Sequence, residues 1–131
     1  MPELSCSRYL PFVNLTFSQM TLTVSNLAIP EQYADCIAAC QECLIDCQAC
    51  LAAMATKESM NDCPRCCVDC VDACLIAVKF MASDSKYAKQ YCSLCADICD
   101  WCAAQCAEHD HAHCQKCAES SRKCAEACRA M

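Results

Sequence analysis

Cysteine recurs along this chain at alternating intervals of three and four residues, in four separate rows. The first row is Cys36, Cys40, Cys43, Cys47 and Cys50. The second is Cys63, Cys67, Cys70 and Cys74. The third is Cys92, Cys95, Cys99, Cys102 and Cys106, and the fourth Cys114, Cys117, Cys124 and Cys128. A 3/4 alternation is the spacing of residues on one face of an α-helix. The chain is therefore expected to build four helices, each with a stripe of sulfur where Leu and Ile ordinarily sit. Of the 20 cysteines only Cys6 and Cys66 fall outside the rows. Cys66 lies about 60° off its neighbours and is expected at the flank of the seam. One row has a gap: the position between Cys117 and Cys124 that continues the pattern is Ser121.

The punctuation between rows suits helices. Pro30 and Glu31 fit a first helical turn, so the first helix is expected from Pro30 to about Ala55. Thr56-Lys57-Glu58-Ser59 connects it to a second helix, capped by Asn61 or Asp62 with Pro64 in its first turn, ending near Met81. Ser83-Asp84-Ser85 supplies the next turn and cap. The third helix reaches Glu108, and Asp110 caps a fourth that runs to the C-terminus. Short connections force neighbouring helices antiparallel. The expected fold is all-α, an up-down-up-down four-helix bundle over residues 28–131 with a cysteine-lined core. Residues 1–27 lack the pattern and read as a leader segment strapped over the bundle, with Met20 as an alternative start of translation.

Composition narrows the function. The chain has no Gly, which argues against a loop-rich or β-rich fold. A net charge of −6 without a basic patch excludes nucleic acid as a partner class. No run reads as a membrane span, and no secretory or twin-arginine signal is visible, so a cytoplasmic location is expected. Thiols stay reduced there, and clustered cysteines then indicate metal more than disulfides. A disulfide framework also fits the spacing poorly, because bridges between residues three or four apart would tie a helix to itself.

A buried cysteine acts as a small hydrophobe, but eighteen of them leave a bundle under-filled. Helices pack about 8–10 Å apart because ordinary side chains occupy the space between them. An empty axial tube costs about 24 cal/mol per Å³, so something is expected to fill it. Thiolate surroundings favour Cu(I), Zn(II) or iron–sulfur clusters. Structural zinc and iron–sulfur sites want compact sets of four ligands, typically on loops. Cu(I) accepts two or three thiolates, and residues at i and i+3 or i+4 can converge on one small ion. A continuous seam thus suits a chain of Cu(I) ions sharing thiolates, on the order of one ion per core cysteine.

Antiparallel order brings Cys50, Met54, Met60, Cys63, Cys106, His109, His111, His113 and Cys114 to one pole. Imidazole and thioether are weaker, exchangeable soft ligands, so this pole is the expected mouth. Tyr33, Phe80, Met81, Tyr91 and Met131 collect at the other as an apolar plug. For each histidine the simpler role is to solvate a turn.

With the four rows, the segment Cys63-Pro64-Arg65-Cys66-Cys67-Val68-Asp69-Cys70 and the run His109-Asp110-His111-Ala112-His113-Cys114-Gln115-Lys116-Cys117, residues 30–131 resemble the bacterial copper storage proteins. The resemblance implies Cu(I) storage and detoxification in the cytosol, and assembly as a homotetramer. It does not cover the leader, and Ser121 departs from the pattern. Expected partners are copper ions, with a copper chaperone or a low-molecular-weight thiol as donor or acceptor. The main alternative is a zinc or mixed-metal thiol buffer that also scavenges oxidants. A redox enzyme using one Cys-Xaa-Xaa-Cys pair is disfavoured, since such pairs sit at a helix N-terminus in an α/β fold and no strand pattern occurs.

Overall fold

A computed structural model of the chain describes residues 28–131. The leader, with Cys6 and Met20, lies outside the described residues. A single 3₁₀ turn, Glu31–Tyr33, leads into four helices: α1 (Ala34–Met54), α2 (Arg65–Ala82), α3 (Ala88–Ala107) and α4 (Ala112–Arg129). Each helix packs against two neighbours, α1 and α3 both contacting α2 and α4. The result is the expected antiparallel four-helix bundle.

The sulfur rows set the register. On α1 and α4, Cys36 Sγ lies 3.5 Å from Cys128, Cys40 3.5 Å from Cys124, Cys47 3.3 Å from Cys117 and Cys50 3.6 Å from Cys114. The partner moves back along α4 as far as it advances along α1, as antiparallel helices require. Between the α2 and α3 rows the same ladder runs through Cys63–Cys106 at 3.8 Å, Cys67–Cys102 at 3.9 Å and Cys70–Cys99 at 3.6 Å. Alanines such as Ala73, Ala77, Ala96 and Ala118 are buried beside the rows. Side chains this small let the backbones approach closely enough for thiols to meet across the core.

Several details differ from the sequence reading. The α-helix begins at Ala34, because the turn at Pro30 closes as 3₁₀, with Tyr33 N–H bonded to the Pro30 carbonyl at 3.0 Å. Pro64 is the residue before α2 and not in its first turn, so Cys63 lies outside the helix although it is buried. Asn61 caps the turn ahead of α2, its Oδ1 accepting the Cys63 N–H at 3.0 Å. Asp110 does not cap α4: His111 occupies the N-cap in extended conformation and makes no side-chain cap bond. Asp84 takes a left-handed φ of 49° in the α2–α3 turn. In a chain without glycine, Asp is among the few residues that tolerate this region.

The aliphatic residues are the larger surprise. Among the described residues Ile37 is the only buried Ile, Leu or Val, while Ile45, Leu75 and Leu94 are 64%, 53% and 51% exposed. The core is cysteine and alanine, closed at one end by Met54 and at the other by Met81. The span Glu31–Met54 is long and apolar enough, by composition alone, to cross a membrane. Its cysteines face the bundle interior. At the plug, Phe80 and Tyr91 meet edge to face at 5.3 Å and Met81 is buried, while Tyr33, Phe80, Tyr91 and Met131 are only partly buried.

Candidate metal centre

All nineteen cysteines from Cys36 to Cys128 are free thiols and all are buried. Their hydrogen-bonding sulfur–sulfur contacts range from 3.3 Å for Cys47–Cys117 to 4.0 Å for Cys47–Cys102. A metal–thiolate bond of about 2.3 Å lets two sulfurs on one ion lie up to about 4.6 Å apart. The thiols are therefore already spaced to share ions after small rotations. Sets of four sulfurs gather with every atom within 4.8 Å of the others: Cys40, Cys95, Cys124 and Cys128; Cys43, Cys74, Cys99 and Cys124; Cys47, Cys67, Cys102 and Cys117; Cys50, Cys63, Cys67 and Cys106. Most of these draw on three or four helices.

Cys66 departs from its expected place at the flank. It is fully buried between α2 and α3, 3.9 Å from Cys106, and joins Cys67, Cys102 and Cys106 in a further set of four. Its spacing puts it off the axis of its own helix, but the close approach of α3 supplies partners there.

At the histidine end burial opposes negative charge on the thiols. Burial pushes the Cys63 thiol up to about 11, and burial likewise raises Cys114. Deeper in, neighbouring thiols decide which sulfur keeps its proton. Cys124 raises Cys40 and Cys74 and lowers Cys43. Cys102 raises Cys67 and lowers Cys66, and Cys106 lowers Cys50. Because the thiolate is the metal ligand, filling the tube must expel protons.

The predicted mouth residues gather at one end, in unequal roles. His109, His111 and His113 form a ladder of nearly parallel rings, with centroids 6.3 Å and then 5.2 Å apart. His109 is buried, its Nε2 lying 2.8 Å from Asn61 Oδ1 and 3.3 Å from Ser59 Oγ. Asn61 Nδ2 donates to the Gln105 carbonyl and to Glu108, so Oδ1 faces the imidazole as acceptor. That fixes the proton on Nε2 and leaves the lone pair on Nδ1. His113 Nδ1 sits 3.4 Å from Cys114 Sγ, and its Nε2 is buried with no hydrogen-bond partner among the described residues. An unpaired buried nitrogen beside a thiol is a poor structural element and a fit for a soft ion. Met54 is buried beneath this end, whereas Met60 is 75% exposed. Ser59 and Asn61, which hold His109, were not foreseen. They are about fifty residues away in sequence, and nothing in local spacing links them.

The model of the copper storage protein family matches residues 29–131. The chain belongs to the copper storage protein family. A cysteine-rich protein of Bacillus subtilis (strain 168), uncharacterised and called YhjQ, is 43% identical over 105 residues, spanning 77% of this chain and 97% of that one. Among solved structures, the Cu(I)-bound copper storage protein BsCsp3 superposes with a TM-score of 0.74 at 40% identity, covering 77% of this chain and 98% of its own. Apo copper storage protein 3 from Bacillus subtilis gives a TM-score of 0.71 at 42% identity, over 75% and 96% of the two chains. The fold expected from the cysteine rows is that of the family, and the family is one of copper storage proteins.

Proposed function

We propose that this chain stores Cu(I), many ions per monomer, in the cytoplasm, limiting free copper without catalysing a reaction. The observation that carries this reading is the column of buried free thiols at mutual distances that suit bridging soft ions. Few discrete tetrahedral closures lie apart from their neighbours, which disfavours zinc as the main cargo. Competitive titration of the reduced protein with Cu(I) and Zn(II), counting bound metal, tests the choice. Preferential filling with zinc would overturn it. Residues 28–131 suffice for storage in this reading, and the leader adds no capacity. A copper chaperone or a low-molecular-weight thiol hands copper over at the histidine end.

Copper passes through that end in this scheme. An ion docks on His113 Nε2 or on His111, moves to Cys114 and Cys50, and then steps from thiolate to thiolate down the column. Substituting Met54, Met60, His109, His111 and His113 should change the rate of loading and of removal by a chelator, while capacity barely moves. Transfer kinetics decide. If only changes at Tyr33 or Phe80 alter the rate, copper enters at the opposite pole.

The outward aliphatics support a homotetramer. Val68, Leu75 and Ile76 on α2, with Tyr87 just before α3 and Leu94 on it, are apolar side chains left exposed on the monomer. Exposed patches of this kind mark association surfaces. Light scattering should give about four chains per particle for the native sequence, the commonest higher symmetric assembly after the dimer. Leu75→Glu combined with Leu94→Glu should shift the mass down while copper capacity per chain is kept. A monomeric native protein would refute the assembly.

A further inference from the structure

Ser121 is the one residue of the α4 stripe that departs from sulfur, and it is fully buried. Its Oγ lies 3.5 Å from Cys43 Sγ and 3.7 Å from Cys47 Sγ. Those two sulfurs belong to different sets of four. Cys47 gathers with Cys67, Cys102 and Cys117 on the histidine side, and Cys43 with Cys74, Cys99 and Cys124 on the plug side. Ser121 therefore sits at the boundary between the two groups, in contact with both. Next door, the Ser120 hydroxyl donates to the buried Asp46 carboxylate on α1, which Lys116 Nζ approaches to 3.4 Å. This polar clamp fixes the rotation of α4 so that position 121 faces the core.

We infer that Ser121 divides the copper store into two pools that exchange at different rates, an outer pool on the histidine side and an inner pool on the plug side. Ions move along a multi-site channel by stepping between adjacent sites. On α4 the next thiolate after Cys117 is Cys124, about 10.5 Å further along the axis at 1.5 Å per residue. A hydroxyl is a hard, protonated oxygen and a poor ligand for a soft ion. Copper leaving the inner pool must cross on the remaining walls, through the Cys43–Cys47 contact of 3.8 Å or where Cys70 faces Cys102. Loss of a ligand at this crossing is expected to slow it by about tenfold or more. The inference rests on copper as the cargo but not on the number of ions held.

The test is chelator-driven removal of Cu(I) from the saturated full chain, followed by absorbance, for the native protein, Ser121→Cys and Ser121→Ala. The native protein should release copper in two phases of comparable amplitude, about tenfold or more apart in rate. Ser121→Cys should bring the phases together, and Ser121→Ala, which supplies no thiolate, should keep them apart. A single phase in the native protein, or two unchanged phases in Ser121→Cys, overturns the inference. So does merging in Ser121→Ala. Alkylation of the native protein after the fast phase, read by peptide mass spectrometry, provides a second arm if Ser121→Cys does not fold. Cys50, Cys63 and Cys114 should be modified and Cys40 and Cys124 protected, and uniform labelling would refute two pools. If Cu(I) does not bind at all, the storage reading fails instead, which is a distinct result.

Discussion

Titrated with Cu(I) under reducing, anaerobic conditions, the chain should take up on the order of one ion per core thiol before copper appears on a competing chelator. The expectation follows from sharing. A Cu(I) ion needs two or three thiolates, and each bridging thiolate serves neighbouring ions, so ligands and ions approach equal numbers in a column of nineteen thiols. Zinc needs four ligands to close a tetrahedron, and the same thiols can complete only about four or five such sites. Loading in weak buffer should release protons as thiols engage, because the ligand is the thiolate and Cys63 is held protonated in the metal-free tube. Cys47→Ser and Cys99→Ser, both in the middle of the column, should lower capacity, and Cys6→Ser should not. Saturation at one or two ions per chain would remove the basis for storage, and equal losses from all three substitutions would contradict the row assignment.

The same binding should transform stability. Without metal, the described core is held together mostly by cysteine and alanine, and among the described residues the only fully buried side chains larger than cysteine are Met54 and Met81. Ligands that bind only the folded state each add about 2.7 kcal/mol when free ligand is a hundred times Kd. Several such contributions exceed the whole stability of an ordinary domain, about 5–15 kcal/mol. At roughly 4 °C per kcal/mol for a chain of this size, the loaded protein should not melt below about 90 °C, whereas the metal-free form should unfold in the ordinary mesophilic range. Differential scanning calorimetry in the presence of reductant reads this directly, and a shift of only a few degrees would mean that copper does not occupy the core. The metal-free form should also be sensitive to base. A folded-state thiol held up near 11 stabilises the fold at pH below the ordinary cysteine value of 9.0, and that contribution is lost as pH rises from there through 11. The copper-loaded form, whose thiols have already lost their protons, should not show this decline.

Sequence alone determined the helices, their number and the faces they turn inward, because the 3/4 spacing of cysteine admits no other regular structure. It also determined the cargo class, since a stripe of thiols lacks the volume to fill a core, and it placed the histidine end correctly through antiparallel order. What it left open lies across helices. Cys66 looked peripheral from its own helix and is central because α3 comes close enough to surround it. Cys63 looked helical and is held by a loop. Leu75 and Leu94 are side chains of a type that ordinarily fills cores, yet they are exposed because the thiol rows take the inward faces. His109 depends on Asn61 and Ser59, and Ser121 gains its meaning only from lying between Cys43 and Cys47. Spacing along one helix fixes which residues share a face, whereas the distance between faces depends on how closely four backbones pack, which the small volume of cysteine and alanine decides in three dimensions.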